Sequence, residues 1–189
     1  EDIGEKTIGC FEWINENKEF DIIFRTSASS YVDIKNLIKY VNENYSDNFY
    51  SGVVAKANYL NKEITFASGS GYFLDKNLIN LIIENKQLWN HKLIDDVALG
   101  EFLENYNIKP KHFNRNSVNV FPSFNSLDFN LFLTRCKINQ FNLPRILEGF
   151  FMIRIKNNYI KFRKENNFIQ KSDTVLYFLI RFIQKIYPR

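Results

Sequence analysis

Phe20-Asp21-Ile22-Ile23-Phe24-Arg25-Thr26-Ser27-Ala28-Ser29-Ser30-Tyr31-Val32-Asp33 is the stretch whose reading decides the fold. Phe20 to Phe24 is a short apolar run, the pattern of a strand covered on both faces in a parallel sheet. A polar turn follows. Asp33 then stands as an N-cap. Ile34, Leu37, Ile38 and Val41 recur at i, i+3, i+4 and i+7, the spacing of one helical face. Strand, turn and helix in that order make half of a βαβ unit and predict an α/β fold.

The neighbouring segments extend this reading. Residues 3–17 form a helix through Ile3, Ile8, Phe11 and Ile14. Tyr50–Val54 and Glu63–Phe66 read as strands, with Tyr59-Leu60-Asn61-Lys62 as the bend between them. Ala67-Ser68-Gly69-Ser70-Gly71 reads as a flexible loop of small residues. Tyr72-Phe73-Leu74 then leads to Asp75, a further N-cap, and an apolar helix through Ile83. Asp95 and Asp96 open a helix carrying Val97, Leu99, Phe102 and Leu103, where the helix dipole favours acids. Pro110, Pro122 and Pro144 break up residues 107–148. Phe150-Phe151-Met152-Ile153-Arg154-Ile155 reads as a strand. Ser172-Asp173 precedes a helix with Val175, Phe178, Leu179, Phe182, Ile183 and Ile186 on one face. With no linker, repeat or low-complexity segment, residues 1–189 are expected to form a single domain.

Apolar residues make up 45% of the chain, enough for a substantial core and against disorder. No stretch of 18 uncharged apolar residues is present, so no transmembrane segment is expected. No secretory signal pattern opens the chain, and Cys10 and Cys136 are too few for a disulfide scaffold. Both points suggest a cytoplasmic protein. The start at Glu1 rather than Met suggests a processed or excised piece. The net charge of +4 is uneven: residues 154–189 hold nine Lys or Arg against two acids, while the rest hold 16 against 19. A basic end suggests an anionic partner (diphosphate, membrane surface or nucleic acid), or simply a solvated face.

Several groups could carry chemistry. Ser27, Ser29 and Ser30 follow a strand end, where open α/β sheets place ligands. Their hydroxyls suit ribose or phosphate and poorly suit Mg²⁺ or Mn²⁺. The structural alternative is a serine-rich turn. Ser68-Gly69-Ser70-Gly71 lacks a phosphate-binding glycine pattern, but it would permit close backbone approach. Asp95 and Asp96 are adjacent carboxylates, which tend to be exposed, capping or functional; one facing a cleft could serve as general base. Arg154 and Lys156 would share one face of a strand and could neutralise a diphosphate together with Arg163. His91 and His112 have no partner at metal spacing, no Ser-His-Asp or Cys-His order is legible, and no nucleic-acid-binding motif is present.

Together these segments resemble the GT-A-fold glycosyltransferases of the β-1,3-galactosyltransferase and fringe type, over roughly residues 1–106. The matching pieces, in the family's order, are Lys6-Thr7, Asp21 to Thr26, Ser68 to Leu74, and Asp95-Asp96-Val97-Ala98-Leu99-Gly100. The last is similar to the family's Glu-Asp-Val segment. Arg25 to Tyr31, with a later Arg154-Ile155-Lys156, also resembles uncharacterised bacterial and viral variants that lack the metal motif. The resemblance implies a GT-A-like mixed sheet with flanking helices, lacking the N-terminal β-α units. It implies inverting hexosyl transfer from a UDP- or GDP-linked sugar to a glycan hydroxyl. Asp96 would be the base. Arg25, Thr26, Ser27, Ser29, Ser30, Arg154, Lys156 and Arg163 would contact the donor. Ser68, Gly69, Ser70 and Asp95 would lie on the acceptor side. Ser27-Ala28-Ser29 stands where the family carries Asp-x-Asp, so no metal cofactor is expected. Two other readings stay open: a catalytically degenerate glycan- or protein-binding module, and a peripheral membrane module using the basic C-terminal helix.

Overall fold

The computed structural model describes residues 3–118, 127–137 and 145–165. They divide into two compact units. The described parts of Glu1–Ser30 and Ile38–Asn114 make the first, and those of Tyr31–Leu37 and Arg115–Arg189 the second. The architecture is α/β, as the patterning predicts.

In the first unit, β1 (Ile22–Thr26), β3 (Ser51–Tyr59), β4 (Lys62–Asp75) and β5 (Lys111–His112) form a mixed sheet in the order β1-β4-β3-β5. β1 runs antiparallel to β4, from Ile22↔Asp75 to Thr26↔Gly71, which corrects the expectation of a parallel pairing. The strand is half-buried along most of its length rather than covered on both faces. β3 is also antiparallel to β4, so β1 and β3 run the same way with β4 between them. The turn between β3 and β4 falls in the expected bend. Leu60 and Asn61 both take positive φ, 47° and 64°, as a two-residue hairpin turn of type I′ requires.

Residues 67–71, expected as a loop, lie inside β4, a strand of 14 residues. Small side chains serve close approach here rather than flexibility. A Cβ on Gly52 would collide with that of Ala67 in the paired strand. Asp75 caps α3 (Lys76–Glu84): its Oδ1 accepts from the Leu78 amide at 2.9 Å and its Oδ2 from the Phe49 amide at 2.9 Å. Helix α4 (Asp95–Glu104) lies on β4 so closely that a Cβ on Gly100 would stand 2.8 Å from the Thr65 carbonyl oxygen. Helix α1 (Ile3–Asn17) has the expected bounds and buries Ile8 and Phe11 in a core with Tyr50, Tyr72, Leu78, Ile82, Leu99 and Phe102.

A second sheet, all but Ser30 of it in the second unit, is formed by β2 (Ser30–Val32), β7 (Leu133–Cys136) and β6 (Asn116–Val118) in the order β2-β7-β6, with β6 and β7 parallel. Helix α2 (Ile34–Asn44) starts there, and Asp33 Oδ1 accepts from the Asn36 amide at 3.0 Å as the N-cap reading requires. Helix α5 (Arg145–Glu165) replaces the strand expected at Phe150–Ile155. Phe151, Ile155 and Tyr159, at i, i+4 and i+8, bury one helical face against Val118 and Cys136. A polar network crosses this core: Asn116 Nδ2 donates to the Asp128 carbonyl at 2.8 Å and lies 3.2 Å from Tyr159 Oη, which donates to the Leu131 carbonyl at 2.8 Å. Among the described residues no helix is long and apolar enough to cross a membrane. The helix expected after Ser172-Asp173 lies outside the described residues.

Candidate active site

The first unit brings three distant segments together: the end of β1, the middle of β4 and the first turn of α4. Arg25 links them. Its Nη1 donates to the Gly69 carbonyl at 2.8 Å and its Nη2 to Asp95 Oδ2 at 2.5 Å, an ion pair 70 residues apart in sequence. The guanidinium carbon stands 5.4 Å from the centroid of the Tyr72 ring, its cross-strand neighbour. The Gly69 amide donates to Asp96 Oδ2 at 2.7 Å, and Asp96 Oδ1 accepts from the Val97 amide at 3.0 Å. Both backbone polar groups of Gly69 are thus held by side chains. A Cβ here would stand 2.6 Å from Arg25 Nη1 and 3.1 Å from Asp96 Oδ2, so a larger residue would push these two side-chain ends aside.

The serine turn lies beside this cluster. Thr26 Oγ1 and Ser30 Oγ donate to the Ser70 carbonyl at 2.9 and 3.0 Å, and the Ser27 amide reaches the same oxygen at 3.4 Å. Ser27 Oγ and Ser30 Oγ are 3.0 Å apart. Ser68 Oγ accepts from the Ser70 amide at 3.4 Å. Ser29 is half-buried in the turn. The Thr26 and Ser30 hydroxyls fasten the turn to β4, a role that their position in sequence does not reveal.

The electrostatics are acidic. Two carboxylates face one guanidinium, so the cluster carries one net negative charge when all three are ionised. Asp95 is buried at 8% exposure and paired, while Asp96 is half-buried and reaches solvent. Tyr72 Oη is fully buried without a hydrogen-bond partner among the described residues. Burial holds its phenol well above the usual tyrosine range; the Arg25 guanidinium opposes this, and Asp95 reinforces it. Burial likewise raises Tyr50, whose hydroxyl lies 2.8 Å from the Ala67 amide. Sequence reading missed both tyrosines, since Tyr72 is brought to the cluster by pairing across to Arg25 and Tyr50 by its hydroxyl accepting from the Ala67 amide.

Of the site residues expected from sequence, Arg25, Thr26, Ser27, Ser30, Ser68, Gly69, Ser70, Asp95 and Asp96 therefore gather in one place. Arg154 and Lys156 belong to the second unit, on α5. This corrects the shared strand face: residues two apart on a helix point to nearly opposite sides. Burial draws the half-buried Arg154 below its usual range, while Lys156 is exposed. Arg163 lies in the same helix, and its side chain is outside the described residues. His112 is exposed, its Nδ1 3.2 Å from the Val54 amide. A separate cavity of about 370 Å³, lined by residues such as Glu12, Lys86 and His91, shares none of its lining with the cluster.

Among the described residues, no set of three or more His, Cys, Asp or Glu side chains is placed to hold a metal ion. No family model matches the chain, and no curated protein matches it.

Proposed function

We propose that the cluster is the acceptor-activating site of an inverting hexosyltransferase that moves a sugar from a UDP- or GDP-linked donor to a glycan hydroxyl without a bound metal. The observation that supports this reading is the convergence of Arg25, Gly69 and the Asp95-Asp96 pair, in the order in which the GT-A resemblance requires them. Asp96 is the member able to act as base. It is half-buried, and each carboxylate oxygen retains a lone pair beyond the bonds from the Gly69 and Val97 amides. Asp95 is committed to Arg25. In an inverting displacement the acceptor oxygen attacks the anomeric carbon as its proton passes to Asp96, and the nucleoside diphosphate leaves. Calorimetric titration of UDP- and GDP-hexoses, with and without EDTA, tests the donor side. Saturable binding unchanged by EDTA is expected, and binding abolished by EDTA would overturn the metal-free claim.

A second reading is favoured by a specific observation: the acids, the arginine and the Thr26, Ser27 and Ser30 hydroxyls are already bonded to one another or to the backbone of β4. That suits a degenerate module that binds a glycan or protein without turnover. Glycan binding with no nucleotide-sugar binding in the same titrations would favour it.

A further inference from the structure

Resting on the reading of Asp96 as base, we infer that Arg25 is a positioning residue that sets the Asp96 carboxylate through the backbone of Gly69, and is not a ligand of the donor diphosphate. Both arms of the guanidinium fork are engaged, one with the Gly69 carbonyl at 2.8 Å and one with Asp95 at 2.5 Å. Gly69 passes the constraint on, because its own amide holds Asp96 Oδ2 at 2.7 Å. Arg25 thus grips both acids of the first turn of α4, Asp95 directly and Asp96 through the strand. A diphosphate could reach only the guanidinium N–H groups left over from these two bonds, and it would lie beside two carboxylates, where like charge repels it. The absent Cβ at Gly69 is what permits the link, since Arg25 Nη1 and Asp96 Oδ2 occupy the space it would need. Lysine cannot replace this fork: its compact ammonium on a flexible stem does not reproduce planar two-pronged contact.

The test follows the Gly69 amide by NMR in the full chain, in wild type and Arg25→Lys, which keeps the charge and loses the fork. A bond to a carboxylate holds an amide proton downfield and slows its exchange, so in Arg25→Lys the Gly69 amide is expected to move upfield and to exchange faster. An unmoved Gly69 amide in a folded variant overturns the inference. Gly69→Ala probes the link from the strand side, and the amide of residue 69 is expected to move in the same direction with Arg25 in place. A kinetic arm uses donor turnover: Arg25→Lys should lower kcat by about 10–100-fold at constant donor KM. It should cost nothing further when Asp96 is already Asn. A raised donor KM at constant kcat would instead make Arg25 a donor ligand and overturn the inference. If wild type transfers no sugar while the Gly69 amide still depends on Arg25, the transferase reading fails and the coupling stands.

Discussion

Asp95→Asn and Asp96→Asn, made side by side, should separate stability from chemistry. Asp95 pairs with Arg25, and the two side chains are 11% and 33% exposed. Removing one partner from a fully buried pair costs about 3–5 kcal/mol, whereas an exposed pair contributes about 1 kcal/mol or less. Arg25 can turn its guanidinium toward water, so Asp95→Asn should cost about 1.5–3 kcal/mol. For a chain of this size that lowers Tm by roughly 3–12 °C. Asp96→Asn keeps an oxygen able to accept from the Gly69 amide and loses only the charge assistance of that bond, about 1 kcal/mol. Its turnover should nevertheless fall by about 10²–10⁴-fold if the carboxylate takes the acceptor proton. Asp95→Asn should lose less turnover than that. Urea denaturation and donor consumption, measured on both variants, provide the comparison. A larger stability loss in Asp96→Asn than in Asp95→Asn, or full turnover in Asp96→Asn, would refute the assignment of the two acids.

Three further outcomes are expected. Leu60 sits in a type I′ turn with φ of 47° and 82% exposure, so Leu60→Asn relieves backbone strain without losing packing. It should stabilise by about 0.5–1 kcal/mol in urea denaturation, and destabilisation would contradict the turn geometry. Gly100→Ala should destabilise by about 1–3 kcal/mol, because the new methyl meets backbone atoms of β4 rather than a side chain that can swing away. A neutral result would mean that α4 sits farther from the sheet. Cys136 is buried, and burial, helped by the nearby Glu148 charge, pushes its thiol up to about 12, whereas Cys10 is exposed. A thiol reagent at pH 8 should therefore find one fast site per native chain, and two only after unfolding. Because the folded thiol resists ionisation, its contribution is present below pH 9 and is lost as pH rises toward 12.

Local signals were legible and long-range ones were not. The bounds of α1, the bend at Leu60-Asn61 and the caps Asp33 and Asp75 follow from periodicity and turn chemistry within a few residues. The antiparallel partner of β1 lies some 50 residues on, and no local pattern names it. Ala67 to Gly71 looked like a loop because Gly and Ser are poor strand formers. Their smallness instead admits Arg25, Asp96 and the neighbouring strand. The run from Phe150 to Ile155 suggested a strand through its apolar content, although Phe151, Ile155 and Tyr159 already carried helical spacing into the more polar residues beyond. A strand would put Arg154 and Lys156 on one face, and the helix does not. For the site, residue types and their order were readable, and the acids and arginine do meet. What sequence could not show is that the Thr26 and Ser30 hydroxyls bind the Ser70 carbonyl, or that Arg25 is already engaged on both arms.

The most direct test of the central claim is donor turnover by the full chain in EDTA, with UDP- and GDP-hexoses, a panel of glycan acceptors, and the anomer of the product read by NMR. The account predicts release of nucleoside diphosphate and a product of inverted configuration, both lost in Asp96→Asn. Retention of configuration, or no turnover of any donor by wild type under conditions where it binds that donor, would contradict it.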